Sequence, residues 1–113
     1  MSLKSKNMKV TAWNNGQYSE TGAGYGVKLS VEDRDREFNR SWKTVTLELE
    51  GGGPIQVNVA KKSFWSESCR ELIHAEIGRW MLAHGLAPWP KGDPTKLQLV
   101  STGDAKFKLC RRS

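Results

Sequence analysis

The sequence predicts an α+β fold, an antiparallel sheet of five to six strands with two clear hairpins and one long amphipathic helix packed on one face. Three observations point to it. Short runs alternate apolar and polar residues at a period of two, the run from Ser66 to His84 repeats its apolar positions at the helical period, and clusters of Gly, Pro and Asn punctuate both.

Met8, Val10 and Ala12 alternate with Lys9, Thr11 and Trp13, which makes a strand with one apolar face, and Asn14-Asn15-Gly16 supplies the turn after it. Gly22, Gly24 and Gly26 bracket Ala23 and Tyr25 and open a second strand running through Val27, Leu29 and Val31. A phosphate loop presents backbone N–H groups at the start of a helix, whereas a strand follows these glycines, so they read as a strand entry or bulge. Ser30 to Asp33 resembles a capping box, and the charged stretch from Glu32 to Arg40 predicts one or two helical turns. Val45, Leu47 and Leu49 are followed across Gly51-Gly52-Gly53-Pro54 by Ile55, Val57 and Val59, the clearest hairpin in the chain. One apolar face per strand describes an antiparallel sheet covered on one side.

The cover is predicted over Ser66 to His84. Ser68 to Glu71 reads as its capping box and Gly85 as a left-handed C-cap, while Cys69, Leu72, Ile73, Ile77, Trp80 and Met81 fall on one arc. Pro88-Trp89-Pro90 and Pro94 stiffen the connector that follows. Leu97 and Leu99, then Phe107 and Leu109, form a closing hairpin around Thr102-Gly103-Asp104.

A chain of 113 residues accommodates one compact domain, placed at residues 8–110 between a flexible arm or leader at 1–7 and a basic tail at 111–113. No apolar run reaches the roughly 18 to 20 residues of a membrane helix, and the polar first residues lack the apolar stretch of a signal peptide. A cytoplasmic protein with no membrane partner is expected, as a monomer or homodimer. Cys69 and Cys110 have no metal or redox spacing and read as reduced thiols, with Cys110 facing away from Phe107 and Leu109.

Constellations that would carry catalysis are thin. Glu71 and His74, with Glu67 one turn earlier, put three metal-type side chains on the solvent side of the predicted helix, but no second E-x-x-H exists to complete a di-metal site. Asp33, Asp35, Glu37, Glu48 and Glu50 form the densest acidic group, and Arg34, Arg36 and Arg40 interleave to neutralise it. Glu76 falls inside the apolar arc, with Arg79 at i+3 as its expected partner. No catalytic residue, metal or cofactor is assigned, and a small metal-dependent hydrolase is the weakest functional reading.

Charge points elsewhere. Eighteen Lys and Arg against twelve Asp and Glu leave a net +6, with eight basic and seven acidic residues up to Val57 and ten and five after it. Lys96, Lys106 and Lys108 share the solvent parity of the last hairpin, and Arg111 and Arg112 extend the row. Of five tryptophans, Trp65 and Trp80 read as core, whereas Trp89 lies between two prolines beside Lys91 and is a candidate platform for a base. The leading expectation is a non-enzymatic, sequence-nonspecific nucleic-acid-binding module using Lys96, Lys106, Lys108, Arg111, Arg112 and Trp89. The alternative is a protein-interaction or regulatory subunit docking through a sheet edge or the Pro-Trp-Pro loop. Lysines on an edge strand also discourage edge-to-edge pairing, with no ligand involved.

Overall fold

A computed structural model describes residues 7–112. Seven strands, β1 (Asn7–Asn14), β2 (Tyr25–Lys28), β3 (Thr44–Leu49), β4 (Pro54–Asn58), β5 (Glu71–Ile73), β6 (Lys96–Gly103) and β7 (Lys106–Arg111), build one sheet in the order β4-β3-β7-β6-β1-β2-β5. Neighbours pair antiparallel except β3 and β7, which run parallel from Thr46↔Lys106 to Leu49↔Leu109. The terminal strands β4 and β5 approach one another, so the sheet curls into a nearly closed barrel.

The period-two pattern explains the interior. Met8, Val10 and Ala12 of β1, Val45, Leu47 and Leu49 of β3, Leu97 and Leu99 of β6, and Phe107 and Leu109 of β7 all point inward and are buried. Each strand therefore has one apolar face, as its sequence indicates, but the faces bury one another inside the barrel instead of waiting for a helix. The expectation of five to six purely antiparallel strands is corrected to seven in a mixed sheet. Two predicted hairpins are present, β3–β4 and β6–β7, but the parallel contact joins strands far apart in sequence, and alternation along a strand carries no record of its neighbour.

Helices close the two ends. At one end, α1 (Val31–Glu37) starts at Ser30, whose side chain accepts a hydrogen bond from the Asp33 N–H at 3.1 Å. The α1 residue Arg34 is 2% exposed, donating from Nη1 to the carbonyl oxygens of Phe64 (2.9 Å) and Ser66 (2.6 Å). This ties α1 to a 3-10 turn at Lys62–Trp65. Phe38, just past α1, stacks on Phe107 at 4.5 Å and seals that mouth.

At the other end, α2 (Ala75–Ala83) buries Ile77, Gly78, Trp80 and Met81, and the Trp80 indole N–H donates to the Glu50 carbonyl at 2.8 Å. Gly85 takes the left-handed conformation expected of a C-cap, φ 71°. The long helix predicted over Ser66 to His84 is corrected to this shorter one. Arg70 adopts φ 80°, Glu71–Ile73 pairs with β2 as β5, and His74 caps α2 by accepting from the Glu76 N–H at 3.0 Å. The open edge of β2 decides this. Gly26 lets β5 approach so closely that a Cβ there would collide with the Leu72 carbonyl and stand 3.1 Å from the Ile73 Cα, while Leu72 becomes fully buried. Backbone pairing on a barrel edge outweighs the local helical period. The described residues include no helix long and apolar enough to cross a membrane.

Asn7 opens β1 and Arg111 ends β7, so of the terminal segments 1–7 and 111–113 only Asn7, Arg111 and Arg112 lie among the described residues.

Candidate nucleic-acid interface

The six residues singled out from sequence do not form one site. Lys96, Lys106 and Lys108 occupy outward positions of β6 and β7, with Lys106 opposite Thr46 and Lys108 between Val100 and Glu48. Arg112 lines a shallow cleft of about 310 Å³ with Lys9 and Gln98. Arg111 is occupied instead: its backbone N–H donates to Glu50 Oε1 at 2.9 Å and its guanidinium sits 3.2 Å from the same oxygen. Those two bonds, backbone first, hold the Glu50 carboxyl below the usual carboxylate range. Trp89 is half-buried, folded back edge-to-face on Tyr25 (6.0 Å) and Tyr18 (6.2 Å) near the start of β2. It stands off the β6–β7 row.

Most of the acidic positions weighed for chemistry are held in ion pairs. Asp33 and Glu37 bind Arg36 at 2.6 and 2.9 Å, and Asp35 binds Arg34 at 3.0 Å. Glu76 pairs with Arg79 at 2.6 Å, which lowers its carboxyl, and it lies half-exposed at the rim of α2 rather than in the apolar arc. Glu71 is buried on β5 beside Lys28 (3.8 Å) while His74 is a helix cap, so the pair that read as a solvent-face motif is split between strand and helix. The described residues contain no group of three His, Cys, Asp or Glu placed to hold a metal ion. Both cysteines are free thiols; Cys69 precedes β5, outside any helix, and Cys110 faces outward opposite Gln98, its thiol pushed up by burial.

A different surface brings together three cations, without ion pairs among the described residues, and two indoles. Arg40, Ser41, Trp42, Lys43, Lys62 and Trp65 line a groove of about 570 Å³ at the mouth closed by α1. Its walls are built locally. Asn39 Oδ1 accepts from the Ser41 N–H (2.8 Å) and hydroxyl (2.7 Å), turning the chain after Phe38, and Trp42 settles edge-on against Phe38 and Phe107. Lys43 accepts at its carbonyl from the Val59 N–H at 2.9 Å, which brings residues 40–43 beside residues 60–65. Trp65 is pinned by its indole N–H to the Val59 carbonyl at 2.9 Å. Exposed Arg40 lies 4.5 Å from the Trp65 ring centre and buried Arg34 lies 5.2 Å from it.

No carboxylate lines this groove. Among the described residues Arg40, Lys43, Lys61 and Lys62 form no ion pair, so their charge is available to an external anion. Three residues along from Lys43, Thr46 is paired with Lys106 of β7. The sequence carries the ingredients as two basic and aromatic clusters, Arg40-Ser-Trp42-Lys43 and Lys61-Lys62-Ser-Phe-Trp65. Nothing in either cluster tells that they meet.

No protein-family model, curated protein or solved structure matches this chain at a significant level.

Proposed function

We propose that this protein is a non-enzymatic binder of nucleic acid, holding the phosphate backbone on Arg40, Lys43 and Lys62 and on the neighbouring β7 lysines Lys106 and Lys108. One observation carries the reading: a groove that joins three cations and two indoles with no carboxylate in its walls. Phosphate contacts of this kind release counterions and are indifferent to base sequence. An exposed lysine row alone is equally well explained as protection of a sheet edge. Here β7 is an interior strand paired on both sides, which removes that explanation for Lys106 and Lys108.

The test is fluorescence anisotropy of labelled oligonucleotides between about 50 and 200 mM salt. With about five phosphates neutralised, log affinity should fall against log salt with a slope of about −3.5 for a single strand and about −4.5 for a duplex. Lys43→Glu with Lys62→Glu, and separately Lys106→Glu with Lys108→Glu, should each weaken binding about tenfold or more. An affinity indifferent to salt sinks the proposal.

A further inference from the structure

Resting on that reading, we infer that the groove selects single-stranded nucleic acid by stacking an unpaired base on the Arg40–Trp65 layer and against Trp42. Phosphate attraction alone does not require aromatic walls, and this groove has two. Trp65 is fixed by its bond to the Val59 carbonyl, and Trp42 by edge contacts with Phe38 and Phe107, so neither indole has to be ordered when a ligand arrives. Arg40 rests on Trp65 with no carboxylate partner, holding a planar cation at the surface. Guanidinium planes and indoles are both platforms on which splayed bases stack.

A duplex keeps its base faces inside its own stack and presents only phosphates and base edges to such a groove. A single strand presents both a phosphate and a free base face. The volume, about 570 Å³, falls in the range of roughly 300 to 1,000 Å³ typical of small-ligand clefts. It has room for a single base with its sugar and phosphate. Lys43 and Lys62 line the same groove as the indoles and supply the cations for the phosphates next to that base.

Three labelled ligands of matched phosphate count decide the matter on the full-length protein: oligothymidylate, the same length of abasic deoxyribose phosphate, and a duplex. Oligothymidylate should bind about tenfold tighter than the abasic strand, the stacking of one base being worth that much, and tighter than the duplex. Photocrosslinking with 5-bromodeoxyuridine on the unaltered protein should map to Trp42 or Trp65. Equal affinity for oligothymidylate and the abasic strand, equal affinity for the duplex, or crosslinks confined to Trp13 or Trp89 would overturn base stacking and leave a plain polyanion binder. Failure of all three ligands to bind at low salt would instead overturn the nucleic-acid reading itself. Competition by heparin equal to that by the oligonucleotide counts with the first group.

Discussion

Arg34 is the most deeply buried charge among the described residues, and its guanidinium replaces water with two carbonyl oxygens and the Asp35 carboxylate while lying against Trp65. A buried charge is tolerable when its donors are filled, and here they link α1, the 3-10 turn and the groove wall in one set of bonds. Glycine does the corresponding work at the opposite end. An added Cβ on Gly78 would collide with the Gly22 carbonyl and sit 2.6 Å from the Gly22 Cα, and Gly22 itself adopts φ 87°. Gly78→Ala would gain up to about 1 kcal/mol of helix propensity, but the clash is with backbone and cannot be relieved by a rotamer. We expect a net loss of about 1 to 3 kcal/mol in urea unfolding, the range for an overpacked site.

Among the elements, α1 shows local chemistry prevailing and β5 shows it overruled. Ser30 caps α1 through the Asp33 N–H, and seven residues make too short a helix to persist without its cap and its packing. Ser30→Ala should destabilise the protein by about 1 kcal/mol, read as a lower urea midpoint with an unchanged m-value. In β5 Leu72 and Ile73 fit the apolar arc of a helix and Glu71 its polar side, yet all three lie as a strand against β2 because the barrel edge offers backbone partners and an enclosed place for Leu72. The displaced start of α2 moves its cap to His74, sets Glu71 beside Lys28 on the neighbouring strand and leaves Glu76 at the rim with Arg79.

For the molecule as a whole, acidification reads out two carboxylates held by arginines. Arg111 lowers the Glu50 carboxyl and Arg79 lowers that of Glu76. A depressed native pKa contributes stability that is fully present above the ordinary glutamate value near 4.3 and is lost as pH falls through the native value. Thermal stability should therefore stay level from about pH 7 to 5 and drop below about pH 4, where these groups protonate. Glu50→Gln should melt lower at neutral pH and lose less on acidification, so that the two melting curves converge in acid. Parallel curves for the variant and the parent protein would show that the Glu50–Arg111 pair, which joins the end of β3 to β7, contributes nothing to the barrel.

What the chain displays openly is whatever one strand or one turn settles alone. The inward parity of Met8, Val10, Ala12, Leu97, Leu99, Phe107 and Leu109, the Ser30 cap, the Gly85 terminus and the Glu76–Arg79 pair are consequences of periods of two and 3.6 and of contacts a few residues apart. Lateral order is another matter. The parallel β3–β7 pairing, the approach of β4 to β5 and the meeting of residues 40–43 with 60–65 arise when seven apolar faces close on one another, an energy shared by the whole barrel and assigned to no segment. Charge composition marked the protein as basic, but closure of the barrel tied Arg111 to Glu50, folded Trp89 onto Tyr25 and left Arg40 unpaired beside Trp65.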